Sequence, residues 1–120
     1  MVGGGLVGVE TAEFCKDYCE KVAVVEMMEH IATDMYMTVR DDLLRRFKEM
    51  GIEVYTNTTV TRIEKDKVYA QQEGREVVFG GYENVILAVG YQSYQPFDNV
   101  ESLAEEVYVI GDAKAARSAV

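Results

Sequence analysis

Apolar and small residues recur along the start of the chain with the spacing of a helix. Gly8, Ala12, Cys15 and Cys19 fall at i, i+4, i+7 and i+11, which predicts a helix from Leu6 to Cys19 with one narrow small-residue face. Such a face lets a helix lie close against a sheet. The pattern then changes to VAVVE, Val22 to Glu26, a continuous apolar run of the kind found in strands buried on both faces. After the looser MMEHIATD, the residues Val39, Leu43, Phe47 and Met50 mark the apolar stripe of a second helix from Tyr36 to Met50. Arg40, Asp42, Arg45 and Glu49 are expected to face solvent. Gly51 supplies the C-terminal stop, and IEVYT, Ile52 to Thr56, is a further strand.

The middle of the chain switches period. From Thr58 to Gly80 polar and apolar residues alternate, with turn signals at Lys65-Asp66-Lys67 and Glu73-Gly74. Three antiparallel strands, a β-meander, are expected there. NVILAVG, Asn84 to Gly90, returns to the pattern of a buried parallel strand. Tyr91 to Glu106 is irregular and holds the only proline, Pro96. VYVIGD, Val107 to Asp112, reads as one more apolar strand ending in Gly-Asp. The alternation of helix and strand in the first half is that of a doubly wound α/β unit with right-handed crossovers.

Composition narrows the function classes. The chain has 120 residues, 48% apolar and 28% charged, enough to bury a core as one domain. Its formal net charge is −9, with 21 acidic against 12 basic residues, which argues against a nucleic-acid or anionic-membrane partner. No signal peptide is visible, and no apolar run approaches the roughly 20 residues of a membrane span, so a cytoplasmic location is expected. Cys15 and Cys19 do not form a CxxC pair; they read as two small buried side chains on the helix's packing face rather than as a redox or metal pair. No metal site is expected. His30, the sole histidine, lies in a loop without a partner and reads as solvated.

The chemistry concentrates at the beginning, in MVGGGLVGVE. Gly3-x-Gly5-x-x-Gly8 matches the dinucleotide fingerprint: the first glycine permits a tight turn, the second a close backbone approach to a pyrophosphate, the third close helix–strand packing. Leu6 and Val7 open the following helix, whose N-terminal N–H groups and dipole face the phosphates. The fingerprint also requires an acid at the end of the next strand to bind the adenosine ribose. Glu26 stands there, 18 residues after Gly8. Its carboxylate repels a 2′-phosphate, and no Arg follows at residues 27–30, so NAD is favoured over NADP. The fold class is therefore α/β: a Rossmann-like parallel sheet with an inserted three-stranded antiparallel β-meander. Its first strand is expected to be truncated, since only Met1 and Val2 precede the glycine loop. That strand is central in this topology, so the expected consequence is a groove in the sheet. The groove would be destabilising, or filled by another segment or a second copy of the chain.

VGGGLVGVETAEF, VAVVE, GIEVYTNTTVTRIE, VILAVGY and VYVIGDA, in that order, resemble the FAD/NAD-dependent pyridine nucleotide oxidoreductases across nearly the whole chain. VYVIGDAKAAR is similar, more narrowly, to the C-terminal region of old yellow enzyme-like NADH:flavin oxidoreductases of the 2,4-dienoyl-CoA and 2-enoate reductase type. The resemblance implies that Gly3, Gly5 and Gly8 bind the NADH pyrophosphate and Glu26 the adenosine ribose. It implies that Glu10 sits toward the nicotinamide and flavin; on physics alone, a first-turn glutamate complementing the helix dipole explains Glu10 equally well. Ala88, Val89 and Gly90 match an A-x-G strand end beside the cofactor, and Gly111 and Asp112 match a Gly-Asp whose aspartate holds a ribityl hydroxyl of FAD. Where many relatives carry G-x-R-P-N, this chain has Gly90-Tyr91-Gln92-Ser93-Tyr94, which leaves that loop's contacts open.

The resemblance implies an NADH-binding domain over residues 1–93 and, over 94–120, a return segment toward an FAD-binding domain that these residues do not include. The expected function is to position NADH for hydride transfer to FAD in a parent enzyme, with the protein supplying binding and orientation to cofactor chemistry. Two other readings stay open: a stand-alone NAD-binding or redox-sensing module without turnover, and another Rossmann enzyme such as an S-adenosylmethionine-dependent methyltransferase. The meander and VYVIGD count against the last.

Overall fold

The structure, a computed structural model, describes residues 1–116. The chain divides into two units, Met1–Val89 and Gly90–Val120. In the first, helix α1 (Leu6–Lys16) leads to strand β1 (Ala23–Val25), helix α2 (Met37–Met50) and strand β2 (Glu53–Tyr55). Strands β1 and β2 pair in parallel, Val24 opposite Val54. The meander follows as β3 (Thr58–Ile63), β4 (Lys67–Gln72) and β5 (Arg75–Gly80), in spatial order β3-β4-β5. Both of its pairings are antiparallel, and an irregularity interrupts β3 between Val60 and Arg62. The α/β alternation and the inserted meander are as the sequence pattern predicts.

The small parallel sheet is sandwiched. On one side, Val22, Val24 and Ile52 pack with Val9 and Ala12 of α1 and Leu43 and Phe47 of α2. On the other, Val25 packs with Val68, Ala70 and Phe79 of the meander. Alternate side chains of β1 point to opposite faces, and all three of its residues are buried, as a strand covered on both faces requires. Helix α2 ends where Gly51 adopts the left-handed conformation at φ 67°, the backbone state that glycine enters without a Cβ penalty. Arg46 of α2 reaches Glu13 of α1 at 2.5 Å and ties the two helices together outside the core.

Met1–Gly3 fill the middle of the sheet for their own length. The Met1 carbonyl accepts from the Val25 N–H at 2.9 Å, and the Gly3 N–H donates to the Val25 carbonyl at 2.9 Å. On the other side, the Val2 N–H donates to Ile86 and the Ala88 N–H to Val2, both at 2.8 Å. Val2 thus bridges β1 and Leu87 in parallel. The order across the sheet is β2, β1, Val2, Leu87, the arrangement of a Rossmann half. The central position is held by this chain's own residues, with an apolar hollow beside it lined by Met1, Val25, Val68 and Phe79.

Several expectations are corrected. Helix α1 ends at Lys16, three residues before Cys19. Cys19 is exposed and Cys15 only partly buried, so the cysteines are not two buried side chains; the turn after Lys16 takes Cys19 off the helix face. Val39 is 50% exposed and drops out of the α2 stripe. Arg40 is partly buried, its Nε donating to the Ile31 carbonyl at 2.9 Å, because the loop before α2 folds back over that helix's first turn. Asn84–Gly90 forms no continuous strand: it pairs only at Leu87, and Val85, Ile86, Leu87 and Val89 are exposed. An apolar run becomes a buried strand only where neighbours cover it, and among the described residues Val2 alone pairs with it.

Among the described residues, the second unit carries two 3-10 turns, Val100–Ser102 and Gly111–Ala113. Val107–Ile110 is not a strand, and Tyr108 and Ile110 are 77% exposed, again because no strand among the described residues pairs with it. Pro96, Phe97, Val100 and Val107 line an apolar hollow within this unit. Among the described residues, no helix is long and apolar enough to cross a membrane.

Candidate functional site at the glycine loop

The three fingerprint glycines, together with Gly4, are set apart by what a side chain would meet. Gly3 has φ +102°, and a Cβ there would lie 2.2 Å from the Ala88 carbonyl oxygen. A Cβ on Gly8 would lie 2.0 Å from the Gly3 carbonyl oxygen. Gly4, buried between them, would place a Cβ 2.6 Å from the Ile31 side chain. These three are glycines because the protein's own backbone and core occupy the space. Gly5 differs. Its φ is −72°, open to any residue, and a Cβ would meet only Asp34 Oδ2, at 3.5 Å. A Cβ on Gly5 would meet no clash, at the position where the fingerprint needs a close backbone approach.

The site's hydrogen bonds run outward from this loop. Glu26, at the end of β1, accepts from the Gly4 N–H through Oε2 at 2.6 Å and from the Met28 N–H through Oε1 at 2.8 Å. Helix α1 has no side-chain cap from Gly5 itself. Instead, Asp34 Oδ2 accepts from the Leu6 N–H at 2.9 Å. The Gly5 and Val7 N–H groups carry no acceptor among the described residues, and orphan first-turn donors of this kind attract anions. Val7 is 57% exposed.

The loop between β1 and α2 is part of the site. Ile31 is 2% exposed and packs on Gly4; the Ala32 N–H donates to the Gly4 carbonyl at 2.6 Å. Ala32 is fully buried at φ 54°, a left-handed conformation that costs a non-glycine residue about 1–2 kcal/mol. Arg40 holds the loop from below through the Ile31 carbonyl. Sequence reasoning missed Gly4, Ile31, Ala32 and Asp34. The run of three consecutive glycines was a usable signal for Gly4; nothing local marks Asp34, which reaches α1 across 28 residues. His30 is exposed in this loop.

Gly3, Gly5, Leu6, Val7, Gly8, Glu26 and Ala88 are therefore brought together, with Val89 adjoining Gly3. Glu10 is exposed on α1. Gly90 (φ +86°), Gly111 (φ +61°) and the exposed Asp112 lie in the second unit.

Comparison with known proteins gives a consistent answer. The NADH oxidase of Thermoanaerobacter brockii is 37% identical over 119 residues, covering 94% of this chain and 18% of that protein. The bilirubin reductase of Mediterraneibacter gnavus (strain CC55_001C) is 43% identical over 91 residues, 75% of this chain and 14% of its own length. Among solved structures, a 2-naphthoyl-CoA reductase in complex with 2-naphthoyl-CoA superimposes with a TM-score of 0.75 at 27% identity, covering 98% of this chain and 18% of that one. Histamine dehydrogenase from Rhizobium sp. 4-9 shares the fold at TM-score 0.79 and 20% identity, over 98% of this chain and 20% of its own. The chain spans less than a fifth of the length of the two sequence relatives. A family model for pyridine nucleotide-disulphide oxidoreductases matches residues 1–119, and the chain belongs to that family.

Proposed function

We propose that residues 1–93 form the NADH-binding part of a flavin-dependent oxidoreductase, and that 94–120 lead toward an FAD-binding domain. The observation that carries this reading is the contrast at the glycine loop. Gly3, Gly4 and Gly8 are filled in by the protein's own backbone and core, whereas a Cβ on Gly5 would meet only the exposed Asp34 carboxylate, at 3.5 Å.

In this reading the Gly5, Leu6 and Val7 N–H groups hold the pyrophosphate at the positive end of the α1 dipole. Glu26 accepts from the adenosine ribose hydroxyls and rejects a 2′-phosphate. Ala88 and Val89 flank the loop where the dinucleotide passes, and Glu10 lies further along α1. FAD, in the parent enzyme, supplies the electron acceptor for the nicotinamide hydride. This chain binds and orients; Gly90 closes the A-x-G strand end with Ala88 and Val89, and Gly111 and Asp112 belong to the flavin side of the arrangement. The reading of the parent as old yellow enzyme-like rests on the segment VYVIGDAKAAR alone.

Calorimetric titration of the chain with NADH, NADPH, FAD and S-adenosylmethionine tests the reading. NADH binding in preference to NADPH is the expected result. Tight FAD binding, a preference for NADPH, or binding of the methyl donor alone would overturn it.

A further inference from the structure

Asp34 stands on the donor that the proposed pyrophosphate site would use. Its Oδ2 accepts from the Leu6 N–H at 2.9 Å and lies 3.5 Å from where a Gly5 Cβ would project. This placement is built rather than incidental. The loop is pinned at three points: Ile31 packs on Gly4, the Ala32 N–H binds the Gly4 carbonyl, and Arg40 Nε binds the Ile31 carbonyl. The Met35 N–H closes the turn onto the Ala32 carbonyl at 3.1 Å. Ala32 keeps its left-handed backbone, so the surrounding contacts hold the loop shape against its local preference.

We infer that Asp34 is an internal anionic placeholder on the glycine loop, which an incoming pyrophosphate must displace, and that it thereby sets the loop's affinity for dinucleotides. The inference rests on the reading of this loop as a pyrophosphate site. The carboxylate satisfies an orphan donor and the helix dipole while the loop is free, as an N-cap side chain does from its own position. A dinucleotide brings a second anion to the same N–H group. Either the carboxylate leaves or two negative charges share one donor, and both cost binding free energy. Between Lys21 and Arg45 the only basic residue besides His30 is Arg40, whose Nε donates to the Ile31 carbonyl. Displacement needs only the Asp34 side chain to rotate away, because that side chain is exposed while Ile31 and Ala32 stay packed.

The test compares the 120-residue chain with its Asp34→Asn and Asp34→Ala variants, titrated with NADH, ADP-ribose and adenosine. Asn keeps an acceptor for Leu6 but loses the charge; Ala loses both. Both variants should bind NADH and ADP-ribose about 3–10-fold tighter than wild type, the range set by one charge-assisted contact near a helix terminus. Adenosine, which has no pyrophosphate, should bind all three chains alike; a merely structural role for Asp34 would move adenosine as well. The Leu6 amide resonance should shift in both variants without any ligand, which checks the contact itself. If wild type binds NADH and the variants bind it equally or more weakly, the placeholder role fails while the NADH reading stands. If no chain binds NADH or ADP-ribose, both fail.

Discussion

A Cβ on Gly8 would lie 2.0 Å from the carbonyl oxygen of Gly3, so the first turn of α1 rests directly on the turn that precedes it. No side chain fits between them, and the backbone on both sides is fixed by the sheet and the helix. Gly8→Ala should therefore destabilise the chain by about 2–3 kcal/mol, the upper range for an overpacked site. Gly3→Ala should cost at least as much, since it adds a left-handed backbone to its own clash. Gly5→Ala should leave the urea midpoint nearly unchanged and instead weaken NADH binding at least tenfold. Equal destabilisation by all three would remove the distinction between packing glycines and the ligand glycine.

Glu26 uses both carboxylate oxygens on backbone donors. An amide matches only one, so Glu26→Gln should cost about 1 kcal/mol in stability, with its oxygen turned to Gly4. Glu26→Ala leaves the N–H of the buried Gly4 without an acceptor and should cost about 1–3 kcal/mol. Denaturant melts of the two variants read this difference. In parallel titrations, Glu26→Gln should narrow the gap between NADH and NADPH affinity about tenfold, because the repulsion toward a 2′-phosphate is gone.

These two side-chain partnerships also mark what the sequence made legible. The fingerprint spacing, the acid closing VAVVE and the period-2 meander are local patterns, and each maps onto an element where expected. The apolar runs at 85–89 and 107–110 carry the same strand signal, yet they lie exposed, because burial depends on neighbours that a run of residues does not encode. The β1–α2 loop was opaque for the opposite reason. Its polar, irregular composition gives no period, and its role comes from Ala32 at an unfavourable φ and from Asp34 reaching a helix 28 residues away.

Tyr82 and Tyr55 both donate to Glu53 Oε2, at 3.2 and 3.0 Å. Burial, then the Glu53 charge and hydrogen bond, push the Tyr82 phenol up to about 12, and burial likewise raises Tyr55. An acid whose folded pKa is raised holds its proton longer in the folded state. Its contribution is complete below the ordinary phenol pKa of about 10 and is lost as pH rises from there to about 12. Stability should fall through that window, and Tyr82→Phe should flatten the fall. Denaturant melts across the alkaline range read the slope; an equal slope in wild type and variant would discount the Tyr82 contact.

Phe47, 2% exposed, fills the space between the two helices and the parallel sheet with Leu43 and Val24. Phe47→Ala should destabilise by about 3–5 kcal/mol through lost burial and the cavity left behind. The Glu13–Arg46 pair bridges the same helices from a partly exposed position, and Glu13→Gln should cost no more than about 1 kcal/mol, less in high salt. Thermal or urea unfolding of both variants checks the ranking. A larger loss from Glu13→Gln would mean that the helix pair is held by its charges rather than by its core.

An NMR titration of the isotopically labelled chain with NADH tests the central claim most directly. Shifts that saturate with NADH and centre on the Gly4, Gly5, Leu6 and Val7 amides and on Glu26, with Val68, Ala70 and Phe79 unmoved, are what the glycine-loop account predicts. Saturating shifts elsewhere with the loop amides unmoved, or no response to NADH from a folded chain, would contradict it.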